Sequence, residues 1–81
     1  MDEKAIHARI ELLVAEEHRL LALAEEKAGL DAEQHQRLDA VKIELDRYWD
    51  LLRQRRARRE AGLDPDEAKL RSADTVERYQ Q

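Results

Sequence analysis

The chain has 81 residues, enough for one small domain, and charged and hydrophobic residues each make up 42% of it. The hydrophobic share excludes an unstructured acidic tail, and no apolar run approaches the roughly 20 residues that a membrane-spanning helix needs. The net charge is −4, but residues 47–59 carry six Arg and one Asp, so a basic middle lies between two acidic ends.

The N-terminal part of the sequence predicts a first helix from about Asp2 to Ala28. Its apolar residues recur at intervals of three and four, which places them on one stripe of a helix that turns roughly 100° per residue. They are Ile6, Ile10, Leu13, Val14, Leu20, Leu21 and Ala24. Gly29 follows, and glycine is typical of the position just past the end of a helix.

A second helix is predicted from Asp31 to Gly62. Asp31 suits the N-cap position, and Gln34 completes a capping-box pattern three residues later. Because only two or three residues separate the helices, they must run antiparallel. The apolar stripe of the second helix, which we expect in the core, is Leu38, Val41, Leu45, Tyr48, Trp49 and Leu52.

The C-terminal part predicts a short helix that starts at Asp64-Pro65 and continues to about Arg71, because Asp is a good N-cap and Pro suits the first helical position. Ser72 can cap one further turn. We expect four apolar side chains to fold back on the open end of the hairpin, namely Leu63, Leu70, Val76 and Tyr79. The predicted fold is all-α, with a helical hairpin in residues 1–62 and a short helix and tail in residues 63–81.

A second, weaker apolar surface predicts self-association. Leu12 and Leu23 lie off the main stripe of the first helix, and Ile43 and Leu51 lie off that of the second. A single hairpin cannot cover both surfaces, whereas a homodimer in the form of a four-helix bundle can.

Glu17 is predicted to be a structural polar residue. It lies in the centre of the first apolar stripe, and a buried carboxylate is costly unless it is paired. The antiparallel register places Lys42 roughly opposite, so we expect a Glu17–Lys42 ion pair. The alternative is a metal ligand next to His18, but the Glu-x-x-His pattern of di-iron bundles is absent. The residues three positions before the histidines are Lys4, Ala15 and Ala32.

The sequence offers little for catalysis. Ser72 is the only serine, Thr75 is the only threonine, and there is no cysteine or glycine-rich phosphate loop. We therefore predict a protein that is not an enzyme and uses no cofactor.

The arginines of residues 53–59 allow two interpretations. Arg56 and Arg59 continue the buried stripe, so their stems would cover the core while their guanidinium groups pair with acids at the open end. Arg53, Arg55 and Arg58 lie elsewhere on the helix and could bind an acidic protein or the phosphates of a nucleic acid.

Three segments resemble an uncharacterised, mainly actinobacterial family, domain of unknown function 2630. They are Tyr48-Trp49-Asp50-Leu51-Leu52-Arg53-Gln54-Arg55-Arg56-Ala57, Gly62-x-Asp64-Pro65 and Val76-Glu77-x-Tyr79. The resemblance covers nearly the whole chain, including Glu16-Glu17-His18. It implies a stand-alone small protein and gives no residue a functional role.

These observations predict a helical-hairpin interaction protein that forms a homodimer and binds another macromolecule, with a protein partner favoured. The alternative is a nucleic-acid-associated factor that uses the arginine cluster; a metal-binding bundle with Glu17 and His18 is a further alternative. The N-terminal sequence carries charges among its apolar residues, unlike a signal peptide, so we expect a cytoplasmic location and no membrane partner.

Overall fold

The computed structural model describes residues 1–78, beginning with helix α1, Glu3–Ala24. Asp2 caps this helix, because its carboxylate accepts a hydrogen bond of 2.8 Å from the backbone N–H of Ala5. The helix ends four residues before the predicted Ala28. Its last turn contains no basic residue and is followed by Glu25 and Glu26, and negative charge is unfavourable at a helix C terminus.

Helix α2, Ala32–Glu60, follows a connection of residues 25–31, which is longer than predicted. The capping box is present: Gln34 N–H donates to Asp31 Oδ1 over 2.8 Å, and Asp31 N–H donates to Gln34 Oε1 over 3.0 Å. At the other end Gly62 has a φ of 75°, and Leu63 N–H donates to the Arg58 carbonyl over 2.8 Å. This is the glycine-terminated helix end that the sequence predicts.

The two helices run antiparallel and enclose the core. Its buried cluster consists of Ile6, Ile10, Leu13, Val41, Leu45 and Leu51. Trp49 is not part of it: 43% of this residue is exposed, so its prediction as a core residue is wrong. Leu21, also predicted in the core, is exposed as well. The buried side of α2 is rotated away from Trp49, because α2 is covered by α1 on one side and by the tail on another.

The tail follows α2 back toward its N terminus instead of covering only the open end. Gln54 donates to the Lys69 carbonyl and Arg47 donates to the Arg71 carbonyl, both over 2.8 Å. These bonds hold residues 68–72 outside any helix, so the helix predicted up to Arg71 is reduced to one 3-10 turn, Pro65–Glu67. Helix α3, Ala73–Arg78, then begins where Ser72 accepts from Thr75 N–H over 3.2 Å.

The tail covers α2 with few of the expected side chains. Val76 is buried, but Leu63 and Leu70 are exposed, and Tyr79 lies outside the described residues. Leu51 is only 3% exposed and Ala68 packs against its cluster, so this part of the second apolar surface of α2 is covered within the chain, while Ile43 is half-buried. Leu12 on α1 remains 66% exposed.

The described part of the molecule is all-α and elongated. Helices and the 3-10 turn contain 77% of residues 1–78, and this part of the chain has no strand. Its extents are 52 × 27 × 15 Å, so the turn of the hairpin and its open end lie far apart. No helix in residues 1–78 is long and apolar enough to cross a membrane.

Candidate functional site

The arginines of residues 53–59 have unlike surroundings, and Arg55 is the most buried of them. Only 5% of Arg55 is exposed, and Nη1 donates to the Met1 carbonyl at 3.3 Å, the Pro65 carbonyl at 3.1 Å and Asp66 Oδ1 at 3.0 Å. The expectation that Arg55 has an accessible side chain is therefore wrong. Arg55 lies four residues after Leu51, so both side chains are on the side of α2 that the tail covers. This four-residue spacing is the one sequence feature that could have predicted the burial of Arg55.

Arg58 and Arg59 are also used within the molecule. Arg58 donates to the Asp64 carbonyl over 2.6 Å and to Glu67 Oε2 over 2.9 Å, which ties the 3-10 turn to α2. Arg58 is half-buried, and its role in binding a partner stays a prediction. Arg59 donates to Glu3 at the start of α1, as expected for internal pairing, and this hydrogen bond is the main cause that lowers the pKa of Glu3.

Arg53, Arg56 and Arg59 are the exposed arginines of the cluster, and of these Arg53 and Arg56 form no ion pair within residues 1–78. The binding role of Arg53 stays a prediction, whereas Arg56 is exposed and does not face the core as the sequence predicts. Arg56 follows Trp49 by seven residues, or nearly two helical turns, and therefore shares the exposed side of Trp49.

These two arginines border a groove of about 220 Å³ at the open end of the hairpin. Trp49, the only tryptophan of the chain, and half-buried Leu52 give the groove an apolar floor. The lining residues are Glu3, His7, Trp49, Leu52, Arg53, Arg56 and Arg59. Because Glu3 pairs with Arg59, the positive charges of Arg53 and Arg56 are not balanced inside the groove.

Such an arrangement is suited to binding an anion. Two guanidinium groups can donate several hydrogen bonds to a carboxylate or phosphate, and an adjacent indole offers a flat apolar face. The lining contains no hydroxyl or thiol nucleophile. It therefore fits an anionic ligand that also carries an apolar or planar group.

The expected Glu17–Lys42 pair is absent. Glu17 is half-buried, Lys42 is exposed, and no ion pair joins them in residues 1–78. Instead, Arg37 makes two hydrogen bonds of 2.6 Å to Glu16, which lower the pKa of Glu16 and raise that of Arg37. The early end of α1 moves the turn nearer the N terminus, so Arg9 meets Glu44 and Glu16 meets Arg37, which are lower-numbered residues of α2 than the predicted register gives.

The histidines do not assemble a metal site in the described part of the chain. His7, His18 and His35 are all exposed. Within residues 1–78 no group of three His, Asp or Glu side chains could hold a metal ion. Of the three, His7 alone lines the groove.

Comparison with known proteins places the chain in a family. A family model described as "Protein of unknown function (DUF2630)" matches residues 2–81. The chain is 51% identical over 72 residues to the uncharacterized protein Rv0898c of Mycobacterium tuberculosis and to the uncharacterized protein Mb0922c of Mycobacterium bovis. Each match covers 89% of this chain and 83% of the relative. No solved structure matches the chain significantly. The chain therefore belongs to the DUF2630 family.

Proposed function

We propose that the protein is a non-enzymatic interaction module whose groove binds an acidic segment of a protein. The observation that carries the proposal is the combination of Arg53 and Arg56, both exposed and without ion pairs among the described residues, with exposed Trp49. An acidic side chain would pair with the guanidinium groups while an adjacent apolar side chain covers the indole. The proposal includes a cytoplasmic location for this association, which is the compartment expected from the sequence.

The charge of the whole chain favours a protein over a nucleic acid. Nucleic-acid affinity at physiological salt rests on many phosphate contacts, and the groove offers two arginines that are not already paired. The rest of the molecule brings the net charge to −4 and would repel a polyanion. The observation in favour of the nucleic-acid alternative is Trp49, since bases of single strands stack on exposed aromatic side chains.

The fluorescence of Trp49 tests the proposal directly, because no other tryptophan contributes. The protein is titrated at ~150 mM salt with a helical peptide that carries adjacent rows of Leu and Glu, with the same peptide carrying Lys for Glu, and with a short single-stranded oligonucleotide. We expect the acidic peptide alone to shift the emission of Trp49 to shorter wavelength and to shield it from acrylamide.

A charge-reversed pair of variants supplies the control. Arg53→Glu with Arg56→Glu should weaken peptide binding by roughly tenfold or more, since each charged contact of this kind contributes on the order of 1 kcal/mol. Arg19→Glu with Lys69→Glu makes the same change in net charge at exposed positions outside the groove and should leave binding unchanged. Equal binding of the Glu and Lys peptides, or preference for the oligonucleotide, would refute the proposal.

A further inference from the structure

We propose that the acidic segment in the groove is the turn end of a second copy of this chain. Two hairpins would then associate face to face and antiparallel, with the open end of each against the turn of the other. This inference rests on the proposed function of the groove and names the partner. It also differs from the dimer expected from the sequence, because Leu51, one of its contact residues, is buried under the tail.

The two ends of the molecule are complementary in charge. The turn and the first residues of α2 carry four exposed acids, while Lys27 is the one basic residue there; the acids are Glu25, Glu26, Asp31 and Glu33. The open end carries the unbalanced charges of Arg53 and Arg56. Because the described molecule is 52 Å long, these two ends cannot meet within one chain, whereas an antiparallel second copy brings them together twice.

Exposed apolar side chains lie on the same face of the molecule as the groove. His7 lines the groove, and half-buried Val14 and exposed Leu21 follow it at intervals of seven residues, so all three lie along one side of α1. Leu21 and Trp49 are 40% and 43% exposed. A twofold axis near Val14 places Leu21 of each copy at the groove of the other, where it would cover Trp49.

Glu17 and Lys42, which the sequence predicts as an ion pair, do not pair with each other within residues 1–78. Lys42 precedes Trp49 by seven residues and therefore lies on the groove side of α2, near the middle of the hairpin. Glu17 is half-buried near the middle of α1, and neither has an ion-pair partner within residues 1–78. The same twofold axis brings Lys42 of one copy within reach of Glu17 of the other, so opposite charges meet at the centre. Such a contact is isologous, as a twofold interface requires.

Charge exchange between two variants tests this arrangement. One variant carries Arg53→Glu and Arg56→Glu, and the other carries Glu25→Lys and Glu26→Lys. Each variant alone opposes like charges at both ends, so we expect its dimer dissociation constant to rise at least tenfold above that of the wild type. In an equimolar mixture each reversed end meets its complement, and we expect a heterodimer with about wild-type affinity. Sedimentation equilibrium measures both against the monomer mass of 9.5 kDa.

Two further variants are controls, one for loss of folding and one for a general effect of net charge. Leu21→Gln alters an exposed side chain, so it should keep the helical circular dichroism of the wild type and still weaken the dimer at least tenfold. Arg19→Glu with Lys69→Glu should leave the dimer unchanged.

A wild type that is monomeric throughout the micromolar range, or a mixture that associates no better than its separate components, would overturn the second-copy assignment. Binding of the acidic peptide to a monomeric wild type would then leave the proposed function standing. If the wild type does not bind the acidic peptide at concentrations where it is monomeric, the proposed function itself is refuted.

Discussion

Arg55 and Arg56 are adjacent in the sequence, yet they have opposite roles in the folded chain. Arg55 is buried between the start of α1 and the 3-10 turn, and its guanidinium group reaches carbonyls and carboxylates from both. Arg56 is exposed at the groove and has no ion pair within residues 1–78. One residue corresponds to a rotation of roughly 100° about the helix axis, which is enough to separate a structural side chain from a surface one.

We expect Arg55→Ala to lower the free energy of unfolding by about 2–3 kcal/mol, through lost packing of the stem and lost hydrogen bonds to Met1, Pro65 and Asp66. The cost stays below the ~3–5 kcal/mol of a fully buried ion pair, because Asp66 is exposed and can return to water. Arg56→Ala should change stability by no more than about 0.5 kcal/mol. Urea unfolding of both variants checks this contrast, and equal losses would contradict it.

At the scale of the elements, α3 is attached to α2 by one buried side chain and one acidic contact. Val76 is buried, and Glu77 lies beside Asp46 of α2. Burial is the main cause that raises the pKa of Glu77, and a hydrogen bond with Asp46 and repulsion by its charge raise it further. Arg47, which donates to the Arg71 carbonyl, and the Arg71–Asp50 ion pair belong to the same strip of contact between tail and α2.

We expect α3 to be held more firmly in acid than at neutral pH. A carboxyl group whose pKa is raised on folding stabilises the folded form fully below its ordinary pKa and loses that contribution as pH rises through the raised value. The Val76 amide, which donates to the Ser72 carbonyl over 3.1 Å, reports this through its hydrogen-exchange protection factor. Protection should fall as pH increases above the ordinary range of Glu.

Two comparisons make this prediction specific. Glu77→Gln should remove most of the pH dependence of Val76 protection, since an amide cannot ionise. The Glu16–Arg37 pair has the opposite sign: the lowered pKa of Glu16 gives a contribution that is present above its ordinary pKa and lost on acidification. Protection at Val76 that rises with pH, or is unaffected by Glu77→Gln, would contradict the prediction.

At the scale of the whole molecule, the basic middle of the sequence holds the acidic ends in place. Ion pairs from Arg55, Arg58 and Arg59 join α2 to Glu3 at the start of α1 and to the acids of the 3-10 turn, Asp66 and Glu67. Except for Arg55, the side chains in these pairs are partly or largely exposed. Each exposed pair therefore contributes little, about 0–1 kcal/mol, but several act together at the open end.

We expect added sodium chloride to lower stability modestly. Raising the salt from ~0.1 to ~1 M shortens the screening length from ~10 Å to ~3 Å, which should reduce the free energy of unfolding by about 1 kcal/mol. Thermal or urea unfolding of a dilute sample measures the effect. The stability of the Glu3→Gln, Arg59→Gln double variant should depend less on salt than that of the wild type. Equal salt dependence in both would argue against stabilisation of this end by ion pairs.

The helices and the all-α class follow from local information. Apolar periodicity, the Asp2 N-cap, the Asp31–Gln34 capping box and the glycine at position 62 act over only a few residues, so they can be interpreted without knowing what packs against them. The sequence also predicts Arg53 as an exposed candidate for binding. The early end of α1 could have been predicted from the two acidic residues that follow it.

Tertiary contacts alone decide which side of α2 is buried and where the candidate site lies. The stripe from Leu38 to Leu52 is compatible with a buried Trp49, but the tail covers Leu51 and Arg55 instead and leaves Trp49 at the surface. The path of that tail depends on side chains such as Gln54, which bind backbone carbonyls 15 residues away in the chain. Such contacts join segments that share no local pattern, and for this reason the groove of Trp49, Arg53 and Arg56 emerges only when the chain is folded.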